Sequence, residues 1–391
     1  MAEVAEAGWL RLALRLAARG RYRTAPNPMV GAVVVAAGAA GEVVGSGWHR
    51  QVGGPHAEVE ALAAAGERAR GATLYVTLEP CAHHGRTPPC ADAVVAAGIA
   101  RVVACHGDPD PRVAGRGFAR LREAGIEVEV GPLAAAAARL NLRFLVAATE
   151  RRPQVTLKWA MSLDGRIATA TRESQWISSP RARRWALALR EEHDATLVGS
   201  GTVLADDPRL DRRLGLAGKP GLRVVLDRRL RLAAWAASAP AGAPRRLFTV
   251  ADPLLVYTAA GAGAAMIPDA GKTPQSPIPE PGEVVALPTV EPAAVLADLY
   301  QRGVRSVLVE GGAEVLASFA ASGLYDRVAV VCAPLLIGGR QAPGPLAGPG
   351  APTLTDAHRL DHLQVQHRGG DLIVEALRQG TLEQLLTRLQ G

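Results

Sequence analysis

Aromatic residues make up only 4% of this 391-residue chain, and just three of its 44 basic residues, Lys158, Lys219 and Lys272, are lysines. With rings so scarce, Leu, Val and Ala must fill the cores, and the 48% hydrophobic content supplies them. Four cysteines are too few for a disulfide framework in a chain this long. No uninterrupted apolar run reads as a membrane-spanning helix. The opening MAEVAEAGWLRLALRLAARG lacks the apolar core and cleavage site of a signal sequence; Arg11, Arg15 and Arg19 instead mark one polar face of an amphipathic helix. These absences point to the cytoplasm and to no membrane partner. The net charge of +7 invites a nucleic-acid reading, but no basic block with interleaved aromatics exists and the 37 acids are interspersed. No nucleic-acid partner is therefore expected. The same arginines suit a phosphorylated small molecule, which they can grip with two parallel hydrogen bonds.

The length predicts two or three domains. VGAVVV (30–35), ATLYVTL (72–78) and ARVVACH (100–106) read as buried strands, with HAEVEALAAAGERA, ADAVVAAG and FARLREAG as helices. That alternation predicts an α/β layer sandwich. Charge and proline in TERRPQ (149–154) break the pattern, placing a first domain at 1–148 and a second at 153–378, with a tail at 379–391. In the second domain QVTLKWAMS, ATLVGS, LRVVLD, RSVLVEGG and RVAVVCAP read as strands. Ser179 is the expected N-cap, and Pro180 the first residue, of a helix through SSPRARRWALALREEH. Residues 231–290, rich in Ala, Pro and Gly, read as a loop-rich region with short apolar runs such as PLLVYT and EVVALP.

Chemistry concentrates in GGPHAEVEALAAAGERARGATLYVTLEPCAHHGRTPPC (53–90). A catalytic zinc needs three protein ligands and an open position, and His56, Cys81 and Cys90 supply that count. Glu58, two residues past His56, can move protons beside the metal without binding it. Hydrolytic removal of an exocyclic amine from a heterocycle needs that division of labour. A structural zinc would instead take a fourth ligand, for which His83 or His84 is available. Eight residues, AHHGRTPP, separate the cysteines, where two are usual in zinc deaminases.

PNPMVGAVVV, GGPHAEVEAL, TLEPCAHHGRTPPC and DPDPRVAGRGFARLREAGIEVEVG resemble the deaminase half of the bifunctional riboflavin-biosynthesis deaminase–reductase family. LKWAMSLDGRIA, ESQWISSPRARR, VGSGTVLADDPRL and VLVEGGAEVLASF are similar to its reductase half. The resemblance implies a cytidine-deaminase-like α/β/α layer sandwich followed by a dihydrofolate-reductase-like α/β domain, using one zinc and NADPH. It implies Asn27, His49, His83 and Arg86 as substrate contacts in the first domain. In the second it implies dinucleotide contacts from Met161, Trp176, Thr202, Asp206, Gly312, Ala313, Glu314, Val315, Leu316, Ala317 and Ser318. Substrate contacts there would be Ser174, Arg190, Leu210, Arg213 and Glu310, with Lys158 pointing into the same region.

Elementary chemistry supports parts of that list. Glu310 ends a strand, and Gly311 and Gly312 would let a phosphate approach a helix N-terminus near Ala313. GSGT (199–202) reads as a tight turn. No G-x-G-x-x-G follows a strand, which excludes a Rossmann site. The family usually has Thr after the leucine matched by Leu210; here it is Asp211, an added negative charge near a phosphorylated substrate. The implied reactions are deamination of a diaminopyrimidinone ribosylamino 5′-phosphate and reduction of its ribosyl group to ribityl. The alternatives are a nucleotide or tRNA deaminase with an unrelated companion domain, or a zinc-binding interaction protein. A homo-oligomer is compatible with the sequence.

Overall fold

The computed structural model describes residues 2–38, 41–82, 88–110, 113–240, 242–262 and 278–389. They form two compact units, Met1–Arg151 with Gly380–Gly391, and Arg152–Gln379.

The first unit is built on five strands, β1 (Gly31–Val35), β2 (Val43–Trp48), β3 (Thr73–Val76), β4 (Arg101–Ala104) and β5 (Glu127–Val130), in the order β2-β1-β3-β4-β5. β1 runs antiparallel to both neighbours, whereas β3, β4 and β5 are parallel. Side chains alternate across this sheet. Ala32, Val34, Leu74, Val76, Val102 and Ala104 pack against α2 (Ala57–Ala65), α3 (Cys90–Ala96) and α4 (Arg116–Glu123). Val33, Val35, Tyr75 and Val103 pack against α1 (Ala2–Ala17) and α5 (Ala134–Leu140) on the other face. Because both faces are covered, the central strands β1 and β3 read as largely apolar runs rather than alternating ones. This is the expected α/β/α sandwich.

Two strands of this sheet were not foreseen. β2 carries Gly45 and Gly47, which weaken a strand signal, yet α2 presses on both: a Cβ on Gly47 would lie 2.7 Å from the Ala57 carbonyl oxygen. β5, EVEV, is largely open to solvent and offers little apolar pattern. Downstream of α5, α6 (Leu142–Glu150) completes this part of the chain. The segment read as a tail contains a helix, Thr381–Arg388, that packs on α5 and α6 through Leu382 and Leu385. Its apolar side buries against the first unit.

The second unit holds a nine-stranded sheet. Its strands are β6 (Gln154–Ser162), β7 (Ala195–Gly199), β8 (Leu222–Leu226), β9 (Leu254–Ala259), β10 (Gly282–Leu287), β11 (Ser306–Val309), β12 (Arg327–Ala333), β13 (Leu360–Arg368) and β14 (Asp371–Arg378). Their order is β10-β9-β8-β7-β11-β6-β12-β14-β13, parallel except for the β12–β14–β13 edge. α10 (Pro292–Gln301) and α11 (Ala313–Ser322) cover one face, while α7 (Pro180–Glu192), α8 (Ser200–Asp206) and α9 (Arg231–Ala237) cover the other. Ser179 caps α7, its hydroxyl accepting from the Ala182 amide at 3.3 Å, and Pro180 is the first helical residue.

The loop-rich reading of 231–290 is corrected over 231–237, 254–259 and 282–287, while residues 241 and 263–277 lie outside the described residues. PLLVYT and EVVALP form β9 and β10, and residues 231–237 form α9; Leu254 and Val256 bury against Leu232 and Ala233. Short runs among Ala and Gly hid a continuous sheet edge. The GSGT segment is likewise no simple turn: Gly199 is the N-cap of α8. After β7 the chain builds outward through β8, β9 and β10, then returns to insert β11 between β7 and β6. Such a reversal opens a crevice at the carboxyl ends of parallel strands.

Candidate functional site

Three side chains far apart in sequence meet in the first unit. His56 is the N-cap of α2, Cys81 follows β3 after the four residues Thr77 to Pro80, and Cys90 opens α3. Their ligand atoms all lie within 4.8 Å of one another, and among the described residues no other such trio is found. His56 Nδ1 is 3.1 Å from Cys90 Sγ and 3.6 Å from Cys81 Sγ. The Cys90 amide donates to Cys81 Sγ at 3.3 Å. The Cys90 thiol, by donating to Cys81, holds that group near its thiolate form, down to about 4, and His56 adds to the effect. Cys90 is pushed up by that thiolate and by burial, and His56 is raised by its bond to Cys81. One proton thus remains between two sulfurs beside an imidazole, and a divalent ion would displace it. Two sulfurs and one nitrogen suit zinc, and three protein ligands leave a fourth position open. The residues fit the metal.

Glu58 lies in the first turn of α2, only 3% exposed, within hydrogen-bond reach of the Cys90 thiol. Burial raises its pKa to about 7 against the opposing pull of His56. His49 stands edge-on to His56 with ring centroids 5.6 Å apart; its Nδ1–H donates to the Pro55 carbonyl at 3.0 Å. The Asn27 amide lies 3.4 Å from its other ring nitrogen, so Asn27, His49 and His56 form a row. His83 and Arg86 lie outside the described residues.

Sequence reasoning passed over Glu79. Its buried carboxylate accepts the amides of Asp108 (3.1 Å), Gly115 (3.0 Å), Gly117 (2.9 Å) and Phe118 (3.3 Å), tying Asp108 and the start of α4 to the segment after β3 that carries Cys81. Those partners are backbone groups and leave no side-chain signature.

In the second unit a cavity of about 1510 Å³ opens at the carboxyl ends of β7, β8 and β11. That exceeds the roughly 300–1,000 Å³ of an ordinary small-molecule pocket and suits a dinucleotide beside a substrate. Lys158, Ser174, Trp176, Arg190, Thr202, Asp206, Leu210, Arg213 and Glu310 line it, as do Gly312 to Leu316 and Ser318. Met161 and Ala317 do not; the Met161 sulfur instead takes the Trp159 indole N–H at 3.4 Å. Gly312 adopts φ +35°, a conformation that other residues rarely adopt, at the start of α11.

Arg190 grips Glu310 with two hydrogen bonds, Nε to Oε1 at 3.0 Å and Nη2 to Oε2 at 2.6 Å. Burial would raise Glu310, but Arg190, Lys158 and His193 bring it down to about 2. Trp176 is 68% exposed, with the Arg183 guanidinium 4.4 Å above its ring. Asp211, the departure noted in the sequence, is buried and pairs with Arg209 at 3.0 Å and Arg213 at 2.9 Å. Its charge is therefore met by protein. Arg209 and Arg246 join Arg190 and Arg213 at the cavity wall, and neither was singled out from sequence, because in an arginine-rich chain they look like any others.

The family described as the cytidine and deoxycytidylate deaminase zinc-binding region matches residues 5–106, and the RibD C-terminal domain matches residues 153–374. The chain is 42% identical over 369 residues to the riboflavin biosynthesis protein RibD of Bacillus amyloliquefaciens, covering 94% of this chain and 95% of that one. It is 40% identical over 376 residues to the Escherichia coli RibD, covering 93% and 97%. Among solved structures, Acinetobacter baumannii RibD superposes with a TM-score of 0.77 at 36% identity, over 95% of this chain and 98% of that one. The chain belongs to the RibD family.

It is thus a bifunctional enzyme of riboflavin biosynthesis, a zinc-binding deaminase joined to an NADPH-dependent reductase. The match over residues 153–374 removes the reading of an unrelated companion domain. RibD membership likewise sets aside the zinc-binding interaction protein. Among the described residues no helix is long and apolar enough to cross a membrane.

Proposed function

We propose that residues 1–148 deaminate 2,5-diamino-6-ribosylamino-4(3H)-pyrimidinone 5′-phosphate and that residues 153–378 then reduce the ribosyl group of the product to ribityl. A Thermotoga maritima neighbour, with a TM-score of 0.75 and 33% identity over 95% of this chain and 98% of that one, is described as a diaminohydroxyphosphoribosylaminopyrimidine deaminase/5-amino-6-(5-phosphoribosylamino)uracil reductase. That description names the same two reactions. The observation that carries the reading is the His56–Cys81–Cys90 cluster with buried Glu58 beside it.

Deamination breaks the bond between a ring carbon and its exocyclic amine, forms a C–O bond from water and releases ammonia. Zinc, held by His56, Cys81 and Cys90, supplies the Lewis acid that makes water reactive at neutral pH. Glu58, with a pKa near 7 in the metal-free protein, can hold a proton on its carboxyl and deliver it to the departing amine. Asn27, His49, His83 and Arg86 contact the substrate. In the second unit NADPH supplies the hydride. Arg190, Arg213, Lys158 and Ser174 orient the phosphorylated substrate, with Leu210 against it and Glu310 holding Arg190. Trp176, Thr202, Asp206, residues 312–316 and Ser318 hold the dinucleotide; Met161 and Ala317, which do not line the cavity, are not among them. The enzyme acts in the cytoplasm on a small molecule and not on nucleic acid.

Glu58→Gln tests the assignment. Ammonia release should fall by about 100- to 10,000-fold, the range for a lost general acid–base, with zinc content and NADPH oxidation on the deaminated substrate unchanged. Full deaminase activity in that variant would remove Glu58 from the mechanism.

A further inference from the structure

Two side chains that point away from the reductase cavity sit beside two that line it. On α7, Arg190 lines the cavity, and the next residue, Glu191, does not. In the segment after α8, Arg213 lines it, and the preceding residue, Arg212, does not. Residues 208–221 carry no helix or strand, so side chains must hold this segment in place.

Glu191 is 3% exposed, and its two carboxylate oxygens accept the amides of Leu214 at 2.9 Å and Ala217 at 3.0 Å. Arg212 reaches the opposite way. Its Nε donates to the Arg190 carbonyl at 3.1 Å and its Nη2 to the His193 carbonyl, satisfying open carbonyls at the end of α7. Its Nη1 donates to the carbonyls of Lys219 at 3.3 Å and Pro220 at 3.2 Å, closing the segment on itself. The guanidinium lies so near the backbone that a Cβ on Gly221 would come within 2.8 Å of Nε. Bonds therefore cross in both directions between the helix that carries Arg190 and the loop that carries Arg213.

We propose that Glu191 and Arg212 are positioning residues of the reductase, a reciprocal lock that fixes Arg190 and Arg213 at one separation for the phosphorylated substrate. The inference rests on the assignment of Arg190 and Arg213 to that substrate. Guanidinium recognition by paired hydrogen bonds tolerates little displacement. Drift of the loop against α7 would weaken substrate binding while leaving the dinucleotide side of the cavity in place.

The test uses the full-length, zinc-loaded enzyme with 5-amino-6-(5-phosphoribosylamino)uracil as substrate, comparing Arg212→Ala, Arg212→Lys, Glu191→Gln and Arg213→Ala. Ammonia release from the diaminopyrimidinone substrate by the same preparations reports that the first unit is folded, and NADPH binding that the second is. Arg212→Ala should raise the substrate KM by about 10- to 100-fold, the scale of a small misplacement, with kcat affected less and the NADPH Kd unchanged. Arg212→Lys should recover part of the loss, and Glu191→Gln should act in the same direction. An unchanged KM in Arg212→Ala beside a raised KM in Arg213→Ala would overturn the lock and leave the substrate assignment standing. Parallel loss of NADPH binding would also overturn it, since a general loosening would then explain the effect. An unchanged KM in Arg213→Ala would refute the substrate assignment itself, and the lock with it.

Discussion

Replacing Arg190 by Gln should destabilise the second unit in a way that depends on pH. The Arg190 and Glu310 side chains are 13% and 8% exposed, and the two-point contact between them is the main force drawing Glu310 from 4.5 to about 2 against burial. That displacement corresponds to about 3 kcal/mol favouring the ionised form in the folded state. Because the folded value lies below the unfolded one, this stability is fully present above about pH 4.5 and is lost as pH falls through about 2. In Arg190→Gln, burial acts on Glu310 with less opposition, so its folded pKa rises and acid now favours the folded variant. The expected cost at pH 7 is about 3–5 kcal/mol, the range for a buried pair that loses one partner. Urea unfolding read by hydrogen exchange in β6, β7 and β11 would measure it. The gap between wild type and variant should narrow steadily below pH 4.5. A cost under about 1 kcal/mol, as for an exposed pair, or a gap constant from pH 7 to pH 3 would refute the reasoning.

Two further outcomes follow from the same geometry. Stripping zinc with a chelator should abolish ammonia release and leave NADPH oxidation with the deaminated substrate intact, and zinc alone should restore the first activity; parallel loss of both would deny the separation of the two chemistries. Asp211→Asn removes the charge that orients Arg209 and Arg213, so the reductase KM should rise several-fold with deamination unaffected. An unchanged KM would mean that packing alone holds those guanidiniums.

What the sequence disclosed depended on whether a signal was local. His56, Glu58, Cys81 and Cys90 fall within 35 residues and keep fixed offsets to one helix start and one strand end, so they could be read directly. Strands buried on both faces, such as β1 and β11, showed as largely apolar runs. β2 was hidden because the glycines that admit α2 also erase the strand pattern. β9 and β10 were hidden because they stand among Ala, Pro and Gly, and β13 because its edge position leaves it mostly polar and exposed. Glu79 and Glu191 accept backbone amides and Arg212 donates to backbone carbonyls, links that leave no mark in the sequence and form once the chain is folded. Asp211 looked like an unfavourable charge until the fold set Arg209 and Arg213 on either side of it.

The most direct test of two chemistries in one chain is to give zinc-loaded protein the diaminopyrimidinone ribosylamino phosphate, first without NADPH and then with it, following ammonia and NADPH separately. Ammonia should appear without NADPH, and NADPH should be consumed once added, in an amount no greater than the ammonia already released. NADPH consumption that precedes ammonia, or silence in both channels with zinc bound, would contradict the account.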